Sequence, residues 1–365
     1  MLILVWGTRP EALKLGAVAA ALKARNVPFV SLSTGQHTDL LAGTPAETDL
    51  ADSQSLGIRT TGEVLRWPLS AQPVIEAALR DHRATLVVVQ GDTMSAVVGA
   101  RAAARLGIPL AHVEAGIRSG CLDDPWPEEA FRREITTLAT WHYAPTLCAY
   151  DHLIAEGVSA EAILLTGNPI VSAIARYADV VPVKVADLTI LFTMHRREWR
   201  LGGIKSVLEG FHEAACQYPE VEIVWPVHPG VAKDLPMGWV SGLPLNARLV
   251  APMAYRPTLR LLARSLGVAT DSGGLQEEAA CLGVPCAVLR RVTDRPESVE
   301  AGVARVYAPT GEGVLGAIRD LRERVIPRQP SDVFGTVAAA TRIAVHLGGV
   351  GAESVAMSTT LPDSA

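Results

Sequence analysis

The sequence predicts an α/β protein of two doubly wound units, each a parallel sheet covered by helices on both faces. Three observations carry this. Unbroken runs rich in Leu, Ile and Val recur at LILVW (2–6), FVSLS (29–33), TLVVVQ (85–90), LAHVEA (110–115), TILFT (189–193), EIVWPV (222–227) and LGVATD (266–271), the pattern of strands buried on both faces. Longer helical patterns separate them, as parallel strands need crossovers. At 365 residues and 49% apolar composition, the chain can build two ordinary cores.

Each half opens alike. In the first, the strand LILVW runs into the turn GTRPE (7–11) and a helix; in the second, TILFT runs into MHRREW and the helix GGIKSVLEGFHEAA. The likeness is one of architecture, without a sequence repeat. The segment GNPIVSAIARYADVVPVKVAD (167–187) holds two prolines between the strand groups, which places the interdomain connection there. The expected domains are therefore 1–168 and 169–348. A small, polar, aperiodic tail at 349–365 is expected to be loose.

A formal net charge of −5 excludes the overall basic surface that would draw the chain to nucleic acid or to an anionic membrane. The apolar N-terminal run is too short to span a bilayer and lacks a secretory pattern. The five cysteines are scattered and unpaired in spacing, which points to a reduced, cytoplasmic setting and to no structural zinc.

In parallel sheets, ligands bind beyond the carboxyl ends of the strands, and four turns there carry candidate chemistry. In GTRPE, Gly7 permits a tight turn, Pro10 suits the first helical position and Glu11 the helix dipole; Arg9 and Lys14 add positive charge at an anion-ready helix N-terminus. In TDSGGLQEEAA (270–280), Gly273 and Gly274 let a diphosphate approach backbone amides, Ser272 can donate to it, and a carboxylate one turn later can reach ribose hydroxyls. Taken alone, this turn also reads as a helix cap. Downstream, TDRPE (293–297) adds Arg295. In TMHRRE (193–198), His195, Arg196 and Arg197 suit a departing phosphate, although singly such residues are more often structural or solvated.

The fourth constellation joins VQGDT to HVEAGIRSGCLDDPWPEE (112–129), where five carboxylates fall in one stretch. Asp92, Glu114 and Glu128 would share a pocket in which neighbouring acids divide the roles of proton donor and acceptor. Each acid alone reads as a cap or a surface charge, and that reading is stronger for Asp123, Asp124 and Glu129. No hallmark metal-ligand spacing is present.

Taken in order, GTRPEALK (7–14), TGQH (34–37), GDT (91–93), HVEAGIR (112–118), PWPEE (125–129), HRRE (195–198), PVHP (226–229), DSGGLQEE (271–278) and RPE (295–297) closely resemble the non-hydrolysing UDP-N-acetylglucosamine 2-epimerases. The resemblance implies a GT-B-like fold of two Rossmann-type domains with a cleft between them, a homodimer, and no NAD or metal. It implies elimination of UDP across C1–C2 to a 2-acetamidoglucal, then re-addition on the other face. It places acid–base chemistry on Asp92, Glu114 and Glu128, a phosphate contact on His195, and nucleotide contacts on Arg9, Ser272, Gly273, Glu278 and Arg295, with Lys14 in the site. The rivals are a hydrolysing relative releasing N-acetylmannosamine and UDP, a GT-B glycosyltransferase, and a silent nucleotide-sugar binder.

The chain departs from the family pattern at the periphery. HRREN appears as HRREW, PVHxNP as PVHPG, and PEEANR as PEEAFR with Phe131; Tyr255 and Thr258 stand where two aromatics are usual. The 48–75 segment lacks the usual pattern too, so activation by substrate is not expected on the strength of Gln36 and His37.

Overall fold

The computed structural model describes residues 1–35, 41, 44–58, 67–177, 188–196 and 204–359. The chain divides into two compact units, Met1–Arg176 with Gly335–Ala365, and Tyr177–Phe334.

The first unit contains β1 (Leu2–Trp6), α1 (Arg9–Lys23), β2 (Phe29–Ser33), α2 (Pro45–Asp49), β3 (Gln54–Ser55), α3 (Trp67–Asp81), β4 (Leu86–Gln90), α4 (Met94–Arg105), β5 (Leu110–Val113), α5 (Glu128–Leu138), β6 (Trp141–Ala144), α6 (Leu147–Ala155), β7 (Ile163–Leu165) and α7 (Pro169–Ala175). Its strands form one sheet in the order β3-β2-β1-β4-β5-β6-β7, and every pairing is parallel. All five residues of β1 are buried, as an apolar run flanked by helices on both faces requires. Helix α4 approaches the sheet closely where Gly99 leaves out a side chain, since a Cβ there would lie 3.2 Å from Val5 Cγ1 and 3.1 Å from Val89 Cγ1.

The second unit contains β8 (Thr189–Thr193), α8 (Ile204–Gln217), β9 (Glu222–Pro226), α9 (Pro229–Ala232), β10 (Ala247–Val250), α10 (Tyr255–Arg264), β11 (Gly267–Thr270), α11 (Gly273–Leu282), β12 (Cys286–Leu289), α12 (Pro296–Glu300), β13 (Ala304–Tyr307) and α13 (Gly311–Arg322). Its parallel sheet runs β10-β9-β8-β11-β12-β13. Phe192 of β8 anchors the core, with ring centroids 4.8 Å from Trp225 and 5.0 Å from Phe211, edge-on contacts that aromatic quadrupoles favour.

The expected strands are all present, and the α/β two-sheet class with them. The strands left out of the sequence pattern, β3, β6, β7, β10, β12 and β13, are short, and several carry polar residues such as His142 and Arg305. The division of the chain differs from expectation. α7 belongs to the first unit, packed on α1, with its N-terminus capped by the Asn168 side chain, which accepts from Ile170 N at 3.0 Å. The boundary therefore follows Arg176 rather than residue 168, and residues 178–187 of the expected connection lie outside the described residues.

The chain then returns to the first unit at Gly335. Helix α14 (Ala339–Thr359) packs on α1 and α7, Arg342 donates to Thr166 O at 3.2 Å, and Tyr143 OH meets His346 Nδ1 at 2.9 Å. The tail expected to be loose from 349 is helical through Thr359, because the apolar face of Ala339, Ala340, Ile343, Ala344 and Leu347, all buried, anchors the helix that continues into it. Among the described residues no helix is long and apolar enough to cross a membrane.

Both sheets reverse their strand order once, between β1 and β4 in the first and between β8 and β11 in the second. Such switch points open a crevice at the strand ends. Gly7, next to the first of them, has no room for a side chain: a Cβ would lie 1.9 Å from Ser95 Oγ and 2.3 Å from Thr34 Oγ1, two hydroxyls themselves paired at 2.9 Å. Gly7→Ala is expected to lower stability by about 1–3 kcal/mol through overpacking. Gly242→Ala, where no atom lies within 4 Å of the added Cβ, is the control; equal urea midpoints for the two variants would contradict this account.

Candidate active site

The first switch point is clasped by a buried carboxylate. Glu11 is 0% exposed; its Oε2 accepts from Gly7 N (3.1 Å), Thr8 N (2.7 Å) and Thr8 Oγ1 (2.7 Å), and its Oε1 accepts from Thr93 Oγ1 at 2.7 Å. Thr93 also caps α4, accepting from Ala96 N at 3.1 Å. The turns after β1 and β4 are thereby joined. Burial pushes the Glu11 pKa up to about 7, against the pull of the Thr93, Thr8 and Gly7 donors.

Beside this clasp, Lys14 reaches from α1 to Glu114 in an ion pair buried on both sides, and Gln90, the last residue of β4, donates to the same Glu114 oxygen. Glu114 follows β5 with φ of 67°, a left-handed conformation that costs a non-glycine residue about 1–3 kcal/mol and recurs at functional sites. Two residues on, a Cβ at Gly116 would lie 2.1 Å from Ala149 O, so only glycine fits the HVEAG bend.

Asp92 follows β4 and is gripped by Arg132 of α5, whose Nε and Nη2 lie 2.7 Å and 2.5 Å from Asp92 Oδ2. Glu128 opens that same helix, one turn before Arg132. The acids of the 112–129 stretch now separate by role. Glu129 is 0% exposed and accepts from Ser119 N (3.1 Å), Arg132 Nη1 (3.3 Å) and Arg133 Nε (3.2 Å), so it is structural. Asp123 is exposed, whereas Glu128 and Asp124 are half-buried. The half-buried Arg9 lies on the first turn of α1. Asp92, Glu114, Lys14 and Arg9 thus follow strand ends at or beside one switch point, and Arg132 ties Asp92 to α5, the helix that Glu128 opens.

Beneath them lies a histidine pair on neighbouring strands, His112 and His142. Burial depresses both pKa values, to about 3 for His112 and about 4 for His142. His112 is therefore neutral near pH 7, and its Nε2 donates to Gly91 O at 2.8 Å, fixing the residue that precedes Asp92.

The second switch point repeats the device. Asp271 is 0% exposed; its Oδ2 accepts from the backbone amides of His195 and Arg196, both at 2.7 Å, and its Oδ1 lies 3.0 Å from His195 Nδ1. Burial works against its charge, but His195 and Arg196 hold its pKa well below the usual carboxylate range. The charge on Asp271 favours the His195 tautomer that carries a proton on Nδ1. The His228 ring lies with its centroid 6.1 Å away.

Ser272 caps α11, accepting from Leu275 N at 3.4 Å, while Gly273 and Gly274 form the first turn and Glu278 is buried one turn further on. Arg295 is braced: its Nε and Nη2 each lie 2.7 Å from Glu277 Oε1, and its Nη1 lies 3.0 Å from Asp294 Oδ2. A Cβ on Gly273 would come within 3.4 Å of Arg295 Nη2, so the guanidinium lies directly against the helix N-terminus. Gln36, His37, Arg197 and Glu198 lie outside the described residues. Among the described residues no group of three or more His, Cys, Asp or Glu side chains could hold a metal ion.

The family model for UDP-N-acetylglucosamine 2-epimerase matches residues 20–348. The chain belongs to the UDP-N-acetylglucosamine 2-epimerase family. A UDP-N-acetylglucosamine 2-epimerase of Campylobacter jejuni is 34% identical over 337 residues, 86% of this chain and 87% of that one. A probable UDP-N-acetylglucosamine 2-epimerase of Ralstonia nicotianae is 33% identical over 337 residues, 87% of this chain and 90% of that one. The crystal structure of the Neisseria meningitidis UDP-GlcNAc 2-epimerase bound to UDP-GlcNAc superposes with a TM-score of 0.86 at 29% identity, covering 95% of this chain and 99% of that one.

Within this 2-epimerase chain the sequence reading left five site residues without a role. Asp271 and Arg132 sit inside motifs already singled out, DSGG and PEEAFR, and an aspartate followed by Ser-Gly-Gly or an arginine one turn after paired glutamates was the available signal. Gln90, Thr93 and His112 gave none beyond adjacency to Asp92 and Glu114.

The histidine pair has a pH consequence. The unfolded chain takes up protons near the ordinary histidine value of about 6.5, while folded His112 and His142 resist until about 3 and 4. Their contribution to stability is complete above about pH 6.5 and is lost as the pH falls, by up to ~1.4 kcal/mol per pH unit for each histidine. Denaturant midpoints measured from pH 7.5 to pH 5 should fall, and His112→Gln should flatten that slope. An unchanged slope would refute the assignment.

Proposed function

We propose that the chain epimerises C2 of UDP-N-acetylglucosamine to give UDP-N-acetylmannosamine, with Asp92, Glu114 and Glu128 handling protons and His195, Ser272, Gly273, Gly274, Glu278, Arg295 and Arg9 holding the nucleotide diphosphate. Lys14 acts in the same site by offsetting the charge of Glu114. The single observation that carries the reading is the pair of dissimilar switch points, one lined by carboxylates held on fixed cations and the other by a helix N-terminus ringed with His195 and braced arginine. Family membership supports the substrate.

The chemistry explains why both are needed. The C2 hydrogen adjoins no carbonyl, so a base alone removes it very slowly. Breaking the C1–O bond to UDP in the same process lets positive character develop at C1, and fixed positive groups stabilise the departing diphosphate. The C2–H electron pair becomes the C1=C2 double bond of 2-acetamidoglucal, with the proton held on a carboxylate. A proton returned to the opposite face of C2 and re-addition of UDP at C1 complete the isomerisation, with no net redox change. A cytoplasmic homodimer is part of the same proposal, resting on the family resemblance.

The test is proton NMR of UDP-N-acetylglucosamine with the protein in D2O. Deuterium at C2 together with a manno-configured nucleotide sugar is expected. Free N-acetylmannosamine would favour the hydrolysing reaction instead, and an unchanged C2 hydrogen would reject both. Glu114→Gln should abolish the exchange.

Arg132→Lys keeps a charge near Asp92 but loses the planar fork. Its kcat should fall about 100-fold with KM little changed, since misplacing a catalytic group by an ångström costs that order. A KM effect without a kcat effect would remove Arg132 from the catalytic arrangement.

A further inference from the structure

Arg290 lies just beyond β12 in the second unit and is 3% exposed. Its Nη1 donates to Asp294 Oδ1 at 2.5 Å, but its Nε and Nη2 are buried without a hydrogen-bond partner among the described residues. These two groups form one edge of the guanidinium, the edge that grips two oxygens at once. Elsewhere in the chain that edge is closed on a carboxylate: Arg101 on Glu134, Arg118 on Glu156, Arg132 on Asp92 and Arg295 on Glu277. A buried charged donor left unsatisfied costs more than a neutral one, so an open edge calls for an acceptor.

The surroundings narrow what that acceptor is. Asp294 bridges Arg290 to Arg295, with Oδ1 facing Arg290 and Oδ2 facing Arg295, and Arg295 lies against Gly273 at the N-terminus of α11. Burial and the nearby Arg196 and Arg295 together disfavour the Arg290 charge. Asp294, the carboxylate that Arg290 does hold, is shared with Arg295, while Asp271 accepts from His195 and Arg196 and Glu277 Oε1 holds Arg295. With no acceptor for the Arg290 edge among the described residues, the edge suits an anion brought in from outside, one that meets clustered guanidinium groups beside a helix N-terminus. A phosphate has that geometry and charge.

We propose that Arg290 is a further substrate-binding residue, donating Nε–H and Nη2–H to a phosphate of the nucleotide diphosphate. The inference rests on the reading given under Proposed function and adds to it a residue that no sequence motif assigned. It also gives the TDRPE segment a use beyond Arg295, because Asp294 holds the two guanidinium groups as one unit.

Binding of UDP by calorimetry and of uridine by NMR titration, for the wild type and for Arg290→Gln, separates a phosphate contact from a structural role. Arg290→Gln should weaken UDP binding about 10-fold or more, the worth of a lost charge-assisted hydrogen bond, while uridine binding stays as in the wild type. Equal loss for both ligands, or no loss for either, would overturn the inference. Should Arg290→Gln fail to fold, Arg290→Lys carries the test: its preference for UDP over uridine should drop severalfold, and an unchanged preference would refute the contact. A wild-type protein that binds no UDP would overturn the functional reading itself, and this inference with it.

Discussion

A fully buried carboxylate holds the turns together at the switch point of each unit. Glu11 ties the turn after β1 to the turn after β4, and Asp271 ties the turn after β8 to the residue ending the run of β11. A parallel sheet splays its helices apart where the strand order reverses, leaving the first backbone amides of the adjoining turns without partners. One carboxylate satisfies two such amides in each unit. The turns then part without leaving those donors unpaired.

The two clasps do the same mechanical work under opposite electrostatics. The donors around Glu11 are neutral hydroxyls and amides, so burial dominates and its pKa rises to about 7. Asp271 faces His195 and Arg196, which together outweigh burial and hold it ionised. A half-protonated Glu11 still bridges, because a protonated Oε1 can donate to Thr93 where the ionised form accepts. An ionised Asp271 keeps the His195 proton on Nδ1. The Glu11 clasp thus tolerates a proton, and the Asp271 clasp keeps its charge.

Much of this was legible in the sequence. Continuous apolar runs gave the inner strands, and the glycine-bearing turns GTRPE, GDT, HVEAG and DSGG marked the strand ends where the candidate residues lie. Side-chain partnerships across the sheet were not legible, because they join residues far apart in the chain: Glu11 to Thr93, Lys14 to Glu114, and Asp92 to Arg132. The unit boundary was misplaced for a related reason. Local composition marks a linker, but α7 and α14 are assigned by the α1 surface they cover, and no local pattern reports a packing partner. Glu129 reads in the sequence as a cap or a surface charge, and its burial among Ser119, Arg132 and Arg133 makes it instead a brace.

The distribution of cations among the acids bears on how the roles divide. Asp92 faces a planar guanidinium fixed by Glu129, whereas Glu114 faces the buried Lys14 ammonium and the Gln90 amide. A fork held on two sides fixes the direction of the Asp92 lone pairs, while the ammonium and the amide both meet one oxygen of Glu114. Paired acids do different work when their surroundings differ. Under the proposed reaction, this difference in partners is what would divide the proton-handling roles of Asp92 and Glu114.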